Sequence, residues 1–138
     1  MNFSSNAADV HKPLGKYFHT TLVPASARWL VVSGQVGIDK NGKLATNLRK
    51  QAEQCFRNIL ACLRENRMRK GDLVKTTVYL TDSRFVDGYR LARSRIIGDA
   101  TLIHLDAGDR RRPGIARYSD RNRGLGGQSL NFLEQEIY

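Results

Sequence analysis

The sequence predicts an α+β fold in which a small sheet carries two helices packed on one face, and three observations lead to it. Residues 13–44 break short β-rich runs with turn residues; from Asn47 the apolar residues recur every three or four positions; and a β-branched run after Leu73 leads into a second pattern of the same helical kind. The order is strand–strand–helix–strand–helix, and two helices can cover only one face of a sheet.

Each element has a local reason. Tyr17 to Val23 and Arg28 to Ser33 read as strands, separated by the turn residues Pro24, Ala25 and Ser26. Asn41–Gly42 supplies a tight turn, because both residues tolerate the backbone that a two-residue hairpin needs. In the first helix Leu48, Ala52, Cys55, Ile59 and Leu63 share a face with Phe56 and Leu60 beside them, and Lys70–Gly71 is its predicted end. Leu73 to Leu80 forms the next strand. Its closing Thr81–Asp82–Ser83 can cap a second helix, whose stripe is Phe85, Tyr89, Ala92 and Ile96.

The chain divides into a polar lead over 1–12, a patterned body over 13–100 and an atypical tail over 101–138. Three strands under two helices offer little surface to pack against, so further strands are expected after Gly98. The tail does not obviously supply them. It contains the run "HLDAGDRRRPGIARYSDRNRGLGGQ", five glycines and few β-branched residues, and its only coherent apolar pieces are Thr101 to Leu105 and Leu130 to Tyr138. The expectation is a tail that is poorly ordered or packed only locally, with a sheet edge left free.

At 138 residues the chain makes one domain. Nothing near Met1 has the order of a signal peptide, and no apolar run approaches the roughly 18 residues of a membrane span, so a cytoplasmic protein is expected. Cys55 and Cys62 share a helical face two turns apart, beyond the Cα separation of about 7 Å that a disulfide tolerates, and read as reduced core residues. His11, His19 and His104 show no ligand spacing, so no metal is expected.

The net charge of +10 belongs to the body: residues 1–100 hold 17 Lys and Arg against 8 Asp and Glu, residues 101–138 hold 6 against 5. Much of the excess is Arg49, Lys50, Arg57, Arg64, Arg67, Arg69 and Lys70, along and just after the first helix. A solvated helix face accounts for such a run as well as nucleic acid does. Aromatic residues to stack bases are not interleaved with it, so nucleic acid is not the expected partner.

At "GKY" followed by "VVSGQVG", then "QAEQCFRNILACL", then "DLVKTTVYLTD", the sequence resembles the RidA family, also called YjgF-like and often labelled endoribonuclease L-PSP. The resemblance covers about residues 13–100, with Ser33–Gly34–Gln35, Gln51, Asn58 and Lys75 to Asp82 in the family's order. It implies a chorismate-mutase-like α+β domain, a homotrimer with a cleft at each subunit boundary, and hydrolysis of amino-acid-derived enamines or imines to 2-oxo acid and ammonia without cofactor or metal. The ligand would be a small carboxylate-containing metabolite in the intersubunit cleft.

That chemistry has clear needs: a buried Arg whose fork pairs with the substrate carboxylate, and a carboxyl group or ordered backbone to place and deprotonate water. Carried over from the family, Tyr17 matches a cleft tyrosine, with Phe18 where a serine would stand. Ser33 and Gly34 match a strand-end pair whose lack of bulk lets a ligand reach the backbone, and Tyr89 stands at the second helix's Asn position. The family's Arg, from a Pro-x-Arg-Ser-type stretch, and its Glu, from a last strand like "EIEA", find no match after Asp99–Ala100. Arg110, Arg111 and Arg112 read as a solvated run.

One hypothesis accounts for the tail. Back-translated with GC-rich codons and shifted forward one base, "LIHLDAGDRRRPGIARYSDRNRGLGGQSL" can read "SSTSTLVIVAGRASRDTRIEIEAWAAKA" and a stop, which restores two strand patterns and the "EIEA". The alternative is a divergent tail that folds in its own way. With Arg and Glu unmatched, imine hydrolysis is the ancestral activity and its persistence is open. A non-catalytic small-metabolite binding protein is the first alternative. RNA binding or cleavage is the second, and it lacks a paired His or His/carboxylate motif for phosphodiester chemistry.

Overall fold

A computed structural model describes residues 3–80, 82–98, 104–109 and 132–137. The strands are β1 (Phe3–Ser5), β2 (Thr20–Leu22), β3 (Leu30–Gln35), β4 (Lys75–Leu80), β5 (His104–Asp109) and β6 (Phe132–Ile137), and the helices are α1 (Leu48–Glu65) and α2 (Val86–Ile96). β1 and β2 pair antiparallel as a separate ribbon. The main sheet has the order β3-β6-β4-β5.

β4 and β5 pair in parallel across α2, while β6 runs antiparallel to both β3 and β4. The crossover from β3 through α1 to β4 therefore leaves a slot one strand wide, and β6 fills it. The apolar stripe of α1 (Ala52, Cys55, Phe56, Ile59 and Leu63) buries against Val32, Leu73 and Val78 of the strand layer and Tyr89, Ala92 and Ile97 of the second helix and its cap. On the opposite face Val31 is 70% exposed, so the helices cover one side only, as the alternation along β3 requires.

The polar lead carries a strand: Phe3–Ser5 pairs with Thr20–Leu22, and the Ser4–Thr21 and Ser5–Thr20 hydroxyls bond across it at 2.9 and 2.8 Å. Two expectations are corrected. The first helix ends at Glu65, not at Lys70–Gly71. Met68 N–H donates to Leu63 O at 2.8 Å and Arg67 N–H to Arg64 O at 3.0 Å, a Schellman closure with Arg67 in the left-handed position at φ 58°. The half-buried Met68 belongs to the cluster that holds Leu63, and that contact stops the helix without a glycine.

The second correction concerns the tail. Six-residue pieces of it lie in the sheet, and β4 is paired on both sides. Parallel pairing uses backbone groups alone, so "HLDAGD" can serve without β-branched residues. "FLEQEI" begins and ends on apolar residues, within the Leu130 to Tyr138 piece. Residues 99–103 and 110–131, including Arg110 to Arg112 and most of the proposed frame-shifted stretch, lie outside the described residues.

Candidate functional site

The first helix does two jobs with two faces. Its apolar stripe builds the core, and a polar set beside it holds the segment that leaves β3. Asn47 caps the helix, accepting from Lys50 N–H at 3.0 Å. Asn58 Nδ2 donates to Val36 O at 3.2 Å and Ile38 O at 3.0 Å, and its Oδ1 accepts from Gln54 Nε2 at 2.8 Å. Cys55 Sγ donates to Gln35 O at 3.5 Å, and Ala45 N–H to Gly37 O at 2.9 Å. Four consecutive carbonyls, 35 to 38, are thus engaged.

Gly37 makes this approach possible. A Cβ there would lie 2.6 Å from both Cα and Cβ of Gln51, closer than any side chain can stand to backbone. Gln51, 1% exposed, spends Nε2 on Ala45 O at 3.1 Å. The turn beyond is closed by Asp39, whose Oδ1 accepts from Asn41 and Lys43 N–H at 2.9 Å each, with Gly42 at φ 79° as the hairpin needs.

Just before the anchored segment the sheet register slips. Val32 faces Gln135 and Gln35 faces Leu133, so β3 spends three steps where β6 spends two. Ser33 and Gly34 occupy this bulge and both are exposed. A bulge turns backbone groups out of the ladder, and here one side of it is immobilised by helix side chains. The sequence brought Ser33 and Gly34 together by adjacency; the bulge gives them a shape.

Tyr17 sits apart on the loop before β2. It is half-buried, its hydroxyl accepts from Leu14 N–H at 3.2 Å, and Arg93 of α2 ties its neighbour, Nη2 donating to Lys16 O at 3.1 Å. Tyr89 is corrected: it is a core residue, 5% exposed, with its ring 5.8 Å from that of Phe56. Burial pushes its phenol pKa well above the ordinary value. Arg93 and the Thr76 hydroxyl beside it draw the value partly back down. The helical spacing that put Tyr89 in the apolar stripe already argued for the core.

Sequence reasoning missed the roles of Asn58, Gly37 and Arg93. Asn58 follows Cys55 by one turn of helix, beside the apolar stripe, where a polar residue signals a buried hydrogen bond. Burial also raises the Cys55 thiol to about 12, which makes it inert as a nucleophile. Among the described residues no group of three His, Cys, Asp or Glu could hold a metal, and no helix is long and apolar enough to cross a membrane.

Two layers in this strand order, with an exposed bulge at the end of the first long strand, define the class: a small α+β domain of the RidA/YjgF fold. The RidA of Psychrobacter sp. PAMC 21119 superimposes with a TM-score of 0.64 over 98% of this chain and 94% of that one at 23% identity. YyfB of Yersinia pestis, a Rid-family protein of unknown function, gives 0.69 over 99% and 97% at 16% identity. A family profile described as Endoribonuclease L-PSP matches residues 7–101, and the chain belongs to that family, the RidA/YjgF proteins.

Among curated relatives, a RutC family protein of Aquifex aeolicus is 37% identical over 71 residues, 51% of this chain and 54% of the relative. The 2-iminobutanoate/2-iminopropanoate deaminase of Salmonella typhimurium is 37% identical over 54 residues, 38% of this chain and 42% of that enzyme. The matches span about half the length of these two relatives.

Proposed function

We propose that this protein binds a small carboxylate-bearing imine or enamine derived from an amino acid and hydrolyses it to the 2-oxo acid and ammonia without a cofactor. The observation that carries the reading is the exposed Ser33–Gly34 bulge, backed by carbonyls fixed to Cys55 and Asn58. A rigid backbone turn without side-chain bulk is what a planar imino acid and an attacking water need in order to meet in one orientation. The resemblance to an imine deaminase over part of the chain supports the same chemistry.

The proposed assembly is a homotrimer in the cytoplasm, the uncovered sheet face with its exposed Val31 turned toward neighbouring copies and Tyr17 closing the cleft. The test couples an amino acid oxidase to this protein and follows loss of the imine. Faster loss at micromolar protein supports the reading, and loss at the buffer rate removes it. Light scattering of the eluted peak tests the trimer separately.

A second reading, a small-metabolite binding protein without turnover, is favoured by the burial of Tyr89, which removes one of the four expected cleft residues. Thermal stabilisation by 2-oxo acids together with an unchanged imine lifetime would select it.

A further inference from the structure

The basic run of the sequence is left unused by this function, and part of it is organised. Glu53 of α1 is only 4% exposed, and its carboxylate bridges the two helices. Arg49 and Arg57, one turn to either side, reach it at 3.7 and 3.2 Å, and Arg95 crosses from α2 to reach it at 3.5 Å. The side chains of these arginines remain 51%, 50% and 64% exposed.

One guanidinium would neutralise Glu53; three leave two positive charges over one small area. Each guanidinium has five N–H donors in a planar fork, and among the described residues each meets a single carboxylate. Half or more of each side chain is open to solvent. Because their common anchor is buried, the three forks are held toward one point instead of sweeping independently, which lowers the ordering cost of binding an anion. A tetrahedral dianion offers the matching acceptors, several oxygens within one small group, where a carboxylate offers two.

We propose that Arg49, Arg57 and Arg95 form a docking site for a phosphoryl dianion, either free phosphate or the phosphate of a small metabolite, on the helix layer. It is separate from the Ser33–Gly34 bulge and independent of the imine reading.

The experiment is calorimetric titration of the intact protein with inorganic phosphate and, separately, with glycerol phosphate in low-salt buffer. Arg57→Gln and Arg95→Gln are each expected to weaken binding about fivefold, the loss of one exposed charge-assisted contact. Lys43→Gln, an equal charge change in an exposed turn on another element, should leave it unchanged. Both side chains to be altered are half exposed, and far-UV circular dichroism checks that the variants fold. Equal weakening by Lys43→Gln would reduce the effect to net charge and overturn the site, as would absence of binding by wild type. Binding of both probes points to the free anion; preference for the ester points to a phosphorylated metabolite.

Discussion

Asn58 gives the sharpest test of how the bulge is held. Replacing it with alanine removes the donors to Val36 O and Ile38 O. Two amide–carbonyl bonds at about 1 kcal/mol net each put the loss near 2 kcal/mol. Asn58→Asp has nearly the same shape but turns a carboxylate toward two carbonyl oxygens, which should cost about 1–2 kcal/mol more at neutral pH. Protonation restores one donor, so the folded variant holds this proton more tightly than the unfolded chain does. Its folded pKa is raised. The extra loss relative to wild type must then be largest above that raised pKa and shrink as pH falls through it toward the unfolded value.

Urea unfolding followed by the fluorescence of Trp29, the only tryptophan, measures all three proteins near neutral pH and at about pH 5. A cost for Asn58→Ala below about 0.5 kcal/mol would show that water replaces both bonds, and the anchoring argument would fail. A pH-independent gap between Asn58→Asp and wild type would refute the electrostatic part alone.

Arg67→Gly should stabilise the protein by about 0.5–1 kcal/mol in the same assay, because a non-glycine residue now stands at φ 58°; a loss would mean the Arg67 side chain contributes more than its backbone strain costs. Native alkylation should modify Cys62 and spare buried Cys55. As pH rises above 9.0 the unfolded chain ionises the Cys55 thiol while the folded chain keeps it protonated, so stability should fall there, and a Cys55→Ala variant should lack that part of the fall. Tyr89→Phe should leave 2-oxo acid binding unchanged and cost about 1 kcal/mol or less, since a single buried hydroxyl beside Thr76 is removed; weakened binding would return Tyr89 to the cleft. Sequencing the coding DNA across codons 98–131 separates the two readings of the tail: an intact mass of 15.6 kDa establishes the tail as written, and with it the pairing of β5 and β6, whereas a departing mass establishes the one-base displacement.

The periodic elements were legible because burial writes itself into spacing. The helices and the core residues Ala52, Cys55, Ile59 and Ala92 follow from intervals of three and four. The end of α1 was misread because Gly71 is the conspicuous stop signal, whereas the real stop is a hydrogen-bond pattern at Arg67 and Met68 that no residue type advertises. The pairing of β5 was illegible for a similar reason, since ladders are made by backbone. At the site, Ser33 and Gly34 were reached through the family resemblance. The grip of Asn58 on residues 36 and 38 spans 20 and 22 positions, and a single sequence carries no sign of such a pairing.

The position of β6 sets an order on folding. It is the last in sequence of the described strands, yet it lies between β3 and β4. Until β6 has been made, β3 and the β4–β5 pair present facing unpaired edges, an arrangement open to capture by another chain. The antiparallel partner of Leu30 is Ile137, more than a hundred residues away, so the contact that joins the two sides of the sheet carries a large loop-closure cost. Loss of Phe132–Ile137 would therefore divide the sheet at its centre instead of trimming its edge.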